Sequence, residues 1–107
     1  MLKKIVWLAT GVMLMNAAPA LAETVEVVID KMLFQPERVS IKVGDTVKWV
    51  NQEKRNNHSV LFKNENLESE RFFPGESWSR TFDKAGVYPY ICGPHPKMTG
   101  QVEVTDR

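Results

Sequence analysis

Residues Tyr88 to Gly100 read YPYICGPHPKMTG, and the way this stretch folds decides the rest. Cys92, His95 and Met98 follow one another at intervals of three, a spacing that would roughly share one face of an α-helix. Gly93, Pro94 and Pro96 exclude that helix, because glycine costs backbone entropy while each proline removes a donor and clashes with the preceding turn. The segment is therefore read as a strand, Tyr88 to Cys92, followed by a tight loop that returns into another strand at Val102 to Val104. Such a loop can aim its side chains at a common point, and its prolines reduce the entropy lost on ordering.

Working outward, the chain reads as short strands punctuated by turn residues. Val25, Val27 and Ile29 alternate with Glu26, Val28 and Asp30, and Val39, Ile41 and Val43 alternate with Ser40 and Lys42, the period-2 pattern of half-buried strands. Gly44-Asp45 marks a turn before a strand with Val47 and Trp49 on one face. Asn51 to Asn57 is a polar loop without periodicity. His58, Val60 and Phe62 then line one face of a further strand. A polar, acidic connection and a Pro74-Gly75 turn lead to Trp78 to Phe82, and Lys84-Ala85-Gly86 turns the chain into Tyr88 to Cys92. About seven or eight strands at turn-marked intervals predict an all-β, antiparallel sandwich in a single domain.

The N-terminus has a different character. Lys3 and Lys4 precede an apolar run from Ile5 to Met15, and the segment ends Ala20-Leu21-Ala22, the form of an export signal with a small-residue cleavage site. The run is shorter than the roughly 20 apolar residues a spanning helix needs. Residues 1–22 are accordingly expected to be a signal peptide and residues 23–107 the domain, with a periplasmic location. Loss of Lys3 and Lys4 lowers the formal net charge of +1 by two, to −1. No concentrated basic stripe marks a nucleic-acid binder.

Cys92 is the only cysteine of the chain. Small exported domains usually carry paired cysteines, so this one is either buried or held by a metal, and another device must stabilise the fold. Taken singly, a lone cysteine is most often a small buried hydrophobe, a methionine most often core, and a histidine most often a surface residue. Taken together, a thiolate, an imidazole and a thioether form a soft site. His58, the only other histidine, completes the set of two His, one Cys and a weak axial Met that suits copper electron transfer. Met32, the other sulfur outside the leader, is expected to pack at a strand end near Phe34.

The residues that carry these features also resemble a known family. Phe34, Pro36, Val39, Ile41, Val43, Gly44-Asp45-Thr46-Val47, Trp49, Asn51 and His58, followed by Gly86, Tyr88, Tyr90, Cys92, Pro94-His95 and Met98, look like the cupredoxins, the small blue copper proteins. The two-residue gaps on either side of His95 are similar to the short ligand loop of the amicyanins within that family. The resemblance implies a Greek-key, cupredoxin-like sandwich, one type 1 copper ion, His58, Cys92 and His95 as strong ligands, Met98 as the long axial one, and the His95 ring edge as an electron port. Ser59 stands where the family commonly has Asn, which leaves open how the Cys92 sulfur is hydrogen bonded. Lys97 stands beside the port where the amicyanin pattern is apolar, and Pro89 must point its missing donor away from any ladder partner.

One-electron carriage is the function this set supports, between redox proteins such as a c-type cytochrome or a periplasmic dehydrogenase, with the protein a monomer. An enzyme of the multicopper type needs further histidines for a second metal site, and only His58 and His95 exist. The alternative is a periplasmic copper chaperone or store. Proteins that hand metal over favour exposed, exchangeable thiol or thioether clusters, whereas this chain has one thiol on a stiffened loop.

Overall fold

The computed structural model describes residues 21–107. Residues 1–20, with most of the expected export signal, lie outside the described part. Nine strands make up the rest: β1 (Thr24–Asp30), β2 (Leu33–Gln35), β3 (Arg38–Lys42), β4 (Thr46–Asn51), β5 (Leu61–Phe62), β6 (Leu67–Glu68), β7 (Ser77–Thr81), β8 (Gly86–Ile91) and β9 (Thr99–Thr105). They form a four-stranded sheet in the order β2-β1-β4-β7 and a five-stranded sheet in the order β3-β9-β8-β5-β6. The one short helical element among the described residues is a 3-10 turn at Lys63–Glu65.

The sandwich predicted by the alternation is present, and in β3 and β4 the alternation maps directly onto burial. The sheets are mixed, however, where the pattern predicted antiparallel pairing throughout. β1 runs parallel to β4, with Val27 opposite Trp49, and β3 runs parallel to β9. Parallel neighbours need a crossover, and here β3 supplies it by passing into the opposite sheet before the chain returns as β4. Period-2 patterning reports which face is buried and carries no information on strand direction.

The core lies between the sheets, centred on Trp49, which has no exposed surface. Its ring meets Phe62 and Tyr90 of the opposite sheet edge-on, with centroids 6.1 Å and 5.3 Å away. Phe34 reaches the same Tyr90 ring at 4.8 Å. Edge-to-face aromatic pairs of this kind add about 0.5–1.5 kcal/mol each beyond the area they bury. Cys92 belongs to the same buried cluster as these rings.

Two local features differ from the sequence expectation. β1 and β2 form a hairpin that the sequence did not announce, with Asp30 opposite Leu33 and only Lys31 and Met32 between them. Both turn residues adopt the left-handed conformation, at φ 54° and 60°. Met32, in the turn between the two strands, is partly buried against the core. The strand predicted from His58 to Phe62 is shortened to Leu61–Phe62, and His58 makes only an isolated bridge to Phe72. The cause is Ser69, whose hydroxyl accepts from the Val60 amide at 2.9 Å and so replaces a ladder bond by a side-chain one. His58, Ser59 and Val60 are consequently all buried rather than alternating.

Pro89 meets the condition set for it. β8 pairs with β5 only at Leu61↔Ile91, so the β8 flank beside Pro89 has no ladder partner on the β5 side. At the far end of the sandwich the buried Asp45 carboxylate accepts from the amides of Glu23 and Lys42, at 2.9 Å and 3.0 Å, and pairs with Arg107. Those two backbone bonds, with the guanidinium, hold the Asp45 carboxyl below the usual carboxylate range.

Candidate metal centre

The β8 strand delivers Cys92 into the sandwich one residue past its last ladder position, Ile91. The loop then closes at once: the Cys92 amide donates to the Met98 carbonyl at 3.0 Å and the Met98 amide to the His95 carbonyl at 2.9 Å. These two bonds turn the chain within residues 92–98, and β9 starts at Thr99. His58 arrives from the other side, fixed by reciprocal backbone bonds with Phe72 of 3.1 Å and 2.9 Å.

Three of the four residues singled out in the sequence converge. The Cys92 Sγ lies 3.4 Å from His58 Nδ1 and 3.6 Å from His95 Nδ1. The three donor atoms lie within 4.8 Å of one another, and the two imidazoles are 5.0 Å apart at 59°. A thiolate and an imidazole each about 2.0–2.3 Å from one first-row ion, at a roughly trigonal to tetrahedral angle, would be separated by about 3.6 Å. The donor set thus has both the chemistry and the spacing for a single soft-to-borderline ion such as copper. Met98, the fourth, is buried at the base of the same loop, where it lines an apolar cavity of about 400 Å³ together with Met32, His95, Pro96 and Lys97.

Burial governs the protonation of the donors. Desolvation pushes the Cys92 thiol up, partly offset by the backbone amides of Ser59 and His95. Desolvation likewise lowers the His58 imidazole, against the pull of the Glu53 carboxylate. Without metal the site therefore favours a neutral thiol and a neutral imidazole. An incoming cation must displace the thiol proton, while the His58 ring is already in the form that binds.

Sequence reasoning missed Glu53. Its side chain is only 8% exposed, and Oε2 sits 3.1 Å from His58 Nε2 while also accepting from the Met32 amide at 2.9 Å. A carboxylate on Nε2 holds the proton there and leaves the Nδ1 lone pair facing Cys92. Asn51, fully buried, braces the arch that carries Glu53: its side-chain oxygen accepts from the Glu53 amide at 2.9 Å, and its Nδ2 donates to the carbonyls of Asn56 and Phe72. The only signal in the sequence was an Asn closing a β-strand ahead of a polar loop with an acid in it.

Comparison with known proteins agrees with this geometry. Residues 22–105 match the family model for copper binding proteins of the plastocyanin/azurin family. Amicyanin of Paracoccus versutus is 43% identical over 94 residues, covering 82% of this chain and 70% of that protein. Amicyanin-alpha of Methylorubrum extorquens is 37% identical over 105 residues, covering 90% and 87%. The crystal structure of the Paracoccus versutus amicyanin superimposes with a TM-score of 0.70 at 40% identity, over 81% of this chain and 84% of that one. The chain belongs to the plastocyanin/azurin family of copper-binding proteins, and copper is its cofactor.

Proposed function

We propose that His58 and His95, through Nδ1, and Cys92, through Sγ, hold one type 1 copper ion, that the Met98 thioether is its weak axial donor, and that the protein carries single electrons between redox partners. The observation that carries this reading is the pair of imidazole Nδ1 atoms 3.4 Å and 3.6 Å from one buried sulfur. Bound copper supplies a one-electron Cu(II)/Cu(I) couple. The chain's own contribution is to keep that couple from rearranging. Glu53 fixes the His58 ring and its tautomer, the two backbone bonds across residues 92–98 fix Cys92 against Met98, and the full burial of Cys92 keeps water from its sulfur.

His95 has a second task. It is the half-exposed member of the pair, whereas His58 has no exposed surface. Its ring opens into the apolar cavity lined by Met32, Pro96 and Met98, so a redox partner docking there comes within van der Waals reach of a ligand ring. Lys97, exposed on the rim, adds a positive charge to that face. The partner belongs to the class of c-type cytochromes or periplasmic dehydrogenases. Location follows from processing: removal of residues 1–22 would place residues 23–107 in the periplasm. It would also leave the α-ammonium of Glu23 at the nitrogen that already lies 2.9 Å from the Asp45 carboxylate.

The visible spectrum of the protein titrated with Cu(II) tests the ligand set. One equivalent should produce an intense thiolate-to-copper band, which Cys92→Ser should abolish. A band that survives that substitution would refute the assignment. Reversible reduction and reoxidation of the blue form by a c-type cytochrome separates a carrier from a copper store.

A further inference from the structure

Ser59 and Glu68 take no part in the donor set, yet they form a relay that ends on the ligand loop. The Ser59 hydroxyl, with no exposed surface, donates to Glu68 Oε2 at 2.7 Å and accepts from the Gly93 amide at 3.0 Å. A hydroxyl has one proton, and an ionised carboxylate is the stronger acceptor, so the Ser59 lone pairs are left facing Gly93. Gly93 is what permits the approach: a Cβ there would stand 2.6 Å from Ser59 Oγ and well inside contact distance of Glu68 Oε2. Three residues from three segments thus meet where the chain leaves Cys92.

We propose that Glu68 and Ser59 are positioning residues of the copper centre, the carboxylate–hydroxyl–amide relay fixing Gly93 and so Cys92, and the Glu68 charge biasing the couple toward Cu(II). This rests on the ligand set proposed above. Reduction adds one electron and removes one positive charge from the centre. A nearby carboxylate stabilises the more positive, oxidised form and lowers the reduction potential. Glu68 is solvent-exposed, and its Oε2 lies against the Gly93 backbone next to Cys92. Where the family commonly places Asn, this chain therefore uses a two-part device, a serine plus a charge that the amide side chain lacks.

Three variants, Glu68→Gln, Ser59→Ala and Ser59→Thr, separate the two roles. Amide hydrogen exchange at Gly93 is read in the metal-free protein, and the reduction potential and visible band in the copper form. Glu68→Gln keeps an acceptor oxygen, so Gly93 exchange and the band should stay near native while the potential shifts upward. Ser59→Ala should accelerate Gly93 exchange about tenfold or more, the effect of losing one hydrogen bond of ordinary strength. Ser59→Thr, which keeps the hydroxyl, should restore protection. An unmoved potential in Glu68→Gln overturns the inference, as does native Gly93 exchange in Ser59→Ala. If Ser59→Ala does not fold, the Glu68→Gln potential decides alone. Absence of a thiolate band in the native copper-titrated protein would instead count against the ligand set, so the two failures are distinguishable.

Discussion

Glu53 Oε2 lies 3.1 Å from His58 Nε2, on the side of the ring opposite the Cys92 sulfur, and a single carboxylate therefore decides which imidazole nitrogen is offered to the metal. Glu53→Gln keeps an oxygen at hydrogen-bond reach but removes the charge that polarises the ring. Copper affinity should fall by about 10- to 100-fold, the usual cost of losing a partner behind a metal-bound histidine. Competition with a chelator of known affinity measures it, with circular dichroism confirming that the sandwich is intact. Native affinity would show that the carboxylate is a bystander.

Copper should stabilise the fold as a whole, because His58 and residues 92–98 come together only in the folded chain. Free copper at 100 times its dissociation constant adds about 2.7 kcal/mol. Calorimetry with and without the metal should show this as a rise in Tm, and His58→Ala should erase most of it.

Replacing the thioether tests the axial role. Met98→Gln should retain the copper and lower the reduction potential, since an oxygen donor favours Cu(II) over Cu(I) more than sulfur does. Voltammetry of the two proteins makes the comparison, and identical potentials would assign the axial position to another group.

Acid should weaken the metal-free fold through His58. Burial lowers its folded-state pKa below the ordinary value of about 6.5, so the unfolded chain binds the proton more readily. The contribution of the neutral ring is fully present above about pH 6.5 and is lost as the pH falls from there toward the depressed folded value. Urea unfolding of the metal-free protein between pH 7.5 and about 5 should show stability falling with pH, and His58→Asn should flatten the slope in that window.

What could be read from the chain in advance divides along physical lines. The strands were legible because burial on one face writes a period of two into Val39 to Val43 and Val47 to Trp49, whatever the strands' direction. Direction, set by the crossover through β3, left no such trace, and the parallel pairs were missed. Cys92, His95 and Met98 stood out because soft donors are rare in this chain and crowd into one loop, and His58 because it is the only other histidine. Glu53 and Glu68 did not, since acids are common on any polar loop. Their importance lies in contacts between segments, such as Glu53 to both His58 and Met32, that no local pattern encodes.

The hairpin at Lys31-Met32 has a consequence for how this protein could be improved and what improvement would cost. Two successive left-handed residues are the requirement of a type I′ turn, for which Asn-Gly is the favoured pair, and each side chain forced there costs about 1–2 kcal/mol. Lys31→Asn with Met32→Gly should accordingly raise Tm. It should also strip the thioether from the floor of the cavity beside His95 and slow electron exchange with a docked partner. If docking runs through His95 as proposed, the turn that best stabilises this hairpin and the turn that best serves a docked partner call for different residues at position 32.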